Sequence, residues 1–164
     1  MKELSRRRFV IGTGAAAATG ALAGCSGNGN GNGNGNGNGN GNGGSPSDRA
    51  DAFLNDNDAR GYDGMEDQTG EDEILVEVGA GSDGLEFAPA GVVVDVGTTV
   101  VWEWTGDGGG HNVSSTSESD FEFESDRTDE AGFTFEQTFD EEGAALYVCD
   151  PHIAQGMFGA VAVE

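Results

Sequence analysis

Metal-ligating and basic side chains are both scarce in this chain. There are 2 cysteines, 2 histidines and 3 methionines. Lysine and arginine together number 7 against 30 acidic residues, for a formal net charge of −23. That imbalance excludes nucleic acid as a natural partner, because phosphate contacts need Lys and Arg. No apolar run reaches the roughly 20 residues of a spanning helix. No window of useful length carries a clean helical period, which argues against a helical bundle. Much of the glycine (30 residues) sits in one tract. The 164 residues therefore hold one domain and little more.

The acid is spread along the chain and forms no tail-like block. It reads either as an acidic face for a basic partner or as adaptation to high salt. The absence of lysine after Lys2 favours salt. At molar salt the Debye length is about 3 Å. Long-range steering then vanishes, and a partner must dock through short-range apolar contact.

Residues 1–24 read as an address. Ser5-Arg6-Arg7-Arg8-Phe9-Val10 resembles a twin-arginine export signal, and a short Ala- and Gly-rich apolar stretch follows it. Leu22-Ala23-Gly24-Cys25 resembles a lipoprotein box, with Cys25 as the lipid-bearing residue. A single acyl chain holds a protein only marginally, whereas two hold it stably. Cleavage before Cys25 leaves Arg49, Arg60 and Arg127 as the basic side chains. The expected location is the extracytoplasmic face of the cell membrane, with the protein lipid-anchored. Residues 25–47 are read as a disordered linker, since Gly27 to Asn42 repeats Gly-Asn and offers nothing to a core. About 20 such residues span on the order of 25 Å. Residues 48–70 are read as an acidic extension. It is expected to be irregular, with at most one short helical turn packed on the domain edge.

From Glu73 the texture changes to short alternating strands. Ile74–Val78, Leu85–Ala88, Val92–Val96, Thr99–Trp104, Phe133–Phe139, Ala144–Val148 and Phe158–Val163 are separated by Gly- and Asp-rich turns. Val100, Trp102 and Trp104 share one face. Residues 71–164 are thus expected to form an all-β sandwich or barrel. The Trp and most Phe residues are expected to pack its core, each buried large side chain adding roughly 1.5–3 kcal/mol.

Near the C-terminus the chain reads Tyr147-Val148-Cys149-Asp150-Pro151-His152-Ile153-Ala154-Gln155-Gly156-Met157. His111 stands upstream, after Asp107-Gly108-Gly109-Gly110. Two His, one Cys and a weak axial Met are the ligands of a blue-copper centre. One loop between adjacent strands can deliver Cys149, His152 and Met157 together, while His111 ties the site to the sandwich. Pro151 stiffens that loop and removes a backbone donor. A structural zinc site prefers four Cys or His ligands, and the domain has three. Asn112-Val113-Ser114 matches a glycosylation sequon, which a copper ligand at residue 111 argues against.

Val100-Val101-Trp102-Glu103-Trp104-Thr105-Gly106, His111-Asn112-Val113 and the Cys-x-Pro-His-x4-Met loop together resemble the halocyanins. These are haloarchaeal, plastocyanin-like blue copper proteins of the cupredoxin family. The resemblance covers residues 79–164, and the acidic segment 50–70 also resembles halocyanin extensions. It implies a Greek-key β-sandwich and one copper, cycling between Cu(I) and Cu(II), held by His111, Cys149, His152 and Met157. It also implies a monomeric one-electron carrier serving respiratory complexes outside the membrane, and a halophilic origin. Asn112 matches the family residue that braces the ligand loops. Asp150 departs from the Ser or Thr often found after the Cys.

Four protein ligands leave no open metal position for a substrate, which argues for a carrier rather than an enzyme. A copper-delivery lipoprotein is the alternative, but delivery proteins usually offer exposed Met or His clusters. Pro151, Ile153, Gly156 and Phe158, with the Gly108–Gly110 loop, are expected to form an apolar docking patch around His152.

Overall fold

The computed structural model describes residues 44–164. The twin-arginine motif, Cys25 and the Gly-Asn repeat lie outside the described residues. Where description begins, Ser45, Pro46 and Asp48 write a helix start. The Ser45 hydroxyl accepts the Asp48 N–H, and the Asp48 carboxylate accepts the Ser45 N–H. Pro46 occupies the first turn, where its missing N–H costs nothing. Helix α1 then runs over Pro46–Asp56. Ala50, Phe53 and Leu54, spaced i, i+3, i+4, form its buried stripe. The helix thus occupies residues 48–56 of the segment read as irregular, and its first turn reaches back into the stretch read as linker. Its short stripe, set among Asp and Asn, is too weak a periodic signal to stand out, although the capping pattern is present.

Among the described residues nine strands follow: β1 (Glu66–Asp67), β2 (Glu73–Ala80), β3 (Glu86–Ala88), β4 (Gly91–Val94), β5 (Thr99–Trp104), β6 (Ser114–Ser115), β7 (Thr134–Thr138), β8 (Gly143–Val148) and β9 (Phe158–Val163). A 3-10 helix at Asp150–Gln155 joins β8 to β9. The strands form two mixed sheets. One has the order β1-β4-β9-β8-β6 and the other β3-β2-β5-β7. β2 pairs with β5 in parallel, as does β4 with β9, while β8 and β9 are antiparallel neighbours. The all-β sandwich is as expected.

Burial alternates with the pleat. In β5, Val100, Trp102 and Trp104 face the interior while Glu103 is exposed. Between the sheets they meet Val76, Val78, Phe87, Val92, Val94, Tyr147, Val161 and Val163. Phe139 is buried in that core, and Phe133 and Phe135 pack against the core's edge. β8 and β9 behave differently, because every residue of both is buried. Their odd-numbered Ala145, Tyr147, Val161 and Val163 join the inter-sheet core. Their even-numbered Ala144, Leu146, Val148, Phe158, Ala160 and Ala162 join a second cluster with Ala50, Phe53 and Leu54 of α1. The N-terminal extension thus covers the outer face of the five-stranded sheet. Two-sided cover is why these strands read as unbroken apolar runs.

Candidate metal centre

Cys149 follows β8 directly, and its side chain continues the inward row of Ala145 and Tyr147. It is a free, buried thiol. His111 arrives from the other side on a short bridge to Thr128, with the His111 N–H donating to Thr128 O at 2.9 Å and the return bond at 3.0 Å. His152 is carried by the 3-10 helix, whose first turn contains Pro151.

Donor atoms of His111, Cys149 and His152 all lie within 4.8 Å of one another. His111 Nδ1 is 3.5 Å from Cys149 Sγ. His152 Nδ1 is 3.3 Å from the same sulfur and 3.1 Å from His111 Nδ1. The other ring nitrogen of His111, Nε2, is 2.8 Å from the Asp107 carbonyl oxygen. A carbonyl only accepts, so the proton sits on Nε2 and the Nδ1 lone pair is left facing the sulfur. Two imidazoles and a thiol that converge this closely form a donor set that fits a metal once the protons among them are displaced. Its mixture of thiolate and imidazole suits copper.

Met157 is fully buried in the same cluster as Cys149. Its carbonyl accepts the Cys149 N–H at 3.1 Å, and its own N–H donates to His152 O at 3.2 Å. The backbone therefore knits three of the four expected ligands together. His152 is part-exposed, whereas His111, Cys149 and Met157 are at 0 %.

Burial is the main electrostatic influence here. It pushes the Cys149 thiol up to about 11, so metal binding must displace its proton. It lowers both imidazoles below their usual value, opposed at His111 by the Asp107 carbonyl and reinforced at His152 by the repulsion a protonated His111 would exert. The shift favours the neutral rings that ligation requires.

Asn112 joins the two ligand-bearing segments. Its Oδ1 accepts the Asp150 N–H at 2.9 Å, and its Nδ2 donates to Asp150 Oδ2 at 2.6 Å. Asp150, where the resembled family often has Ser or Thr, therefore makes a second bond to the same amide. The Asp107 brace left no trace in sequence, because a backbone carbonyl carries no side-chain signature.

Phe158 corrects one expectation. It is 7 % exposed and packs edge-on against Phe53 of α1, with ring centroids 5.7 Å apart. With Met157 pointing inward, the next side chain must point to the opposite face, and α1 covers that face. Phe158 is therefore not a docking residue. Ile153 is 46 % exposed, and Pro151 and Gly156 are part-buried.

The chain belongs to the plastocyanin/azurin family of copper binding proteins, whose sequence profile matches residues 74–164. Copper is accordingly its cofactor, and a blue-copper electron carrier is the class its fold and ligands define. Over its full length, and the full length of the relative, it is 70% identical to halocyanin of Natronomonas pharaonis. It is also 30% identical to plastocyanin of Scenedesmus fuscus, across 56% of this chain and all of that one. Among solved structures, pseudoazurin of Methylobacterium extorquens AM1 aligns at 30% identity and a TM-score of 0.46, over 56% of this chain and 75% of that one.

Proposed function

We propose that the chain shuttles single electrons between respiratory components on the outer face of the cell membrane, held there by a lipid on Cys25. The observation that carries this reading is the convergence of His111, Cys149 and His152 donor atoms within 4.8 Å, with one ligand, His152, part-exposed. Bound copper supplies a one-electron couple between Cu(II) and Cu(I). The protein's part is to keep the donors in place through both states. Asp107 fixes the His111 ring, Asn112 ties the His111 segment to the Cys149 loop, and the Cys149–Met157 backbone bond closes that loop. A donor set that does not move costs little to reorganise, which is what a fast carrier needs. His152, part-exposed and with Nδ1 3.3 Å from the buried sulfur, offers a path to a partner, and the exposed Ile153 beside it gives an apolar contact that salt does not screen.

The test is to mix the reduced, copper-loaded protein with membranes bearing active respiratory complexes and follow return of the blue colour. Reoxidation that depends on those complexes supports the shuttle. Copper passing to a mild chelator faster than electrons pass to the membrane would point to delivery instead. Mass spectrometry of the membrane-derived protein tests the anchor, which predicts a lipid-modified N-terminal Cys25.

A further inference from the structure

The N-terminal extension meets the copper loops at Arg60 and its near neighbour Asp58. The Arg60 backbone N–H donates to Gly156 O at 2.9 Å, immediately before Met157. Gly156 has φ +83°, and a Cβ there would lie 3.1 Å from Arg60 Cγ and 3.1 Å from Asp58 O. The extension is thus seated against the loop that carries His152 and Met157. The Arg60 side chain turns the other way. Its guanidinium donates to Asp83 Oδ2 at 2.7 Å, and its Nε stands 4.0 Å from Glu86 Oε1.

Asp83 belongs to the turn between β2 and β3, and that turn presses on the His111 loop. A Cβ on Gly84 would meet Gly108 N at 2.3 Å, and one on Gly108 would meet Gly84 O at 1.9 Å. Gly108 adjoins Asp107, whose carbonyl holds His111 Nε2. A continuous path of contacts therefore runs from His111 through Asp107, Gly84, Asp83 and Arg60 to Gly156.

We propose that Arg60 is a positioning residue for the copper site, stapling the His111 loop to the His152–Met157 loop without touching a ligand atom. The inference rests on the copper reading above. Arg49, by contrast, pairs with Asp120 beside Ala144 at the start of β8, the strand whose other end leads to Cys149. It therefore serves as a stability control.

The experiment measures how fast the full-length, copper-loaded protein loses its blue colour to excess EDTA, together with its thermal unfolding. A partly exposed ion pair adds up to about 1 kcal/mol, so freeing the staple should speed copper loss by roughly threefold to fivefold. Arg60→Ala and Asp83→Asn should each do so, and the double variant should be no faster than Arg60→Ala alone, since both remove one interaction. Arg49→Ala should lower the unfolding temperature and leave the rate of copper loss at the wild-type value. Unchanged rates in both staple variants would overturn the inference, as would equal acceleration by Arg49→Ala, which would mark a general loss of stability. A wild-type protein that takes up no copper would overturn the metal reading and this inference with it.

Discussion

The amide of Asn112 has both of its polar atoms committed to Asp150, across a sequence gap of 38 residues. Replacing it with Ala strands the Asp150 N–H and frees the two ligand segments from one another. Asn112→Ala is expected to destabilise the protein by about 1–3 kcal/mol and to shift the reduction potential, as read by denaturant unfolding and voltammetry. Retention of both values would show the bridge to be incidental. Residue identity made the ligands legible in advance, because two His, one Cys and one Met are chemically distinctive and their spacing is tight. Asn112 was legible through the family resemblance alone, since an Asn beside a His has no distinctive chemistry of its own. Asp107 and Arg60 were not. One acts through a backbone carbonyl and the other through a salt bridge 23 residues away, and neither leaves a local pattern.

Strands were readable because alternation and turn glycines speak locally. The covered outer face of β8 and β9 was not, because the sequence of a strand does not say what lies over it. Phe158 was misread on that account, and α1 was missed because its apolar stripe has three buried residues among Asp and Asn. At this scale two outcomes are expected. Tyr147 lies directly across from Gly159, and a Cβ on that glycine would meet the Tyr147 ring at 2.3 Å. Gly159→Ala should therefore cost about 1–3 kcal/mol by overpacking, seen as a lowered unfolding temperature. The second concerns the docking of α1 through Arg49 and Asp120. Burial pushes the Asp120 carboxyl upward, but the Arg49 guanidinium and the Ala144 N–H outweigh it, and the net shift is downward. A folded value below the unfolded one means the contribution is present above the ordinary carboxylate range and is lost as pH falls through the folded value. Acid titration of stability should thus show a loss below about pH 4 that Asp120→Asn reduces. An identical acid profile in that variant would remove Asp120 from the account.

Across the whole molecule, a net charge of −23 must be held together against its own repulsion. Salt screens that repulsion, so the unfolding temperature should climb steadily from about 0.1 M to molar salt, over which the Debye length falls from about 10 to 3 Å. A flat dependence would mean that the acid is distributed without energetic consequence. The inter-sheet core and the helix-covered outer face supply the opposing apolar burial, and they converge on the end of the sandwich where the ligands lie. The central claim is that His111, Cys149, His152 and Met157 hold one copper, with the Cys149 thiolate bound to it directly. The most direct measurement is the optical and electron paramagnetic resonance spectrum of the full chain after addition of Cu(II). The account predicts an intense blue thiolate-to-copper band with one copper per chain, bleached by ascorbate and missing in Cys149→Ser. A pale spectrum of ordinary tetragonal copper, or one unchanged by Cys149→Ser, would contradict it.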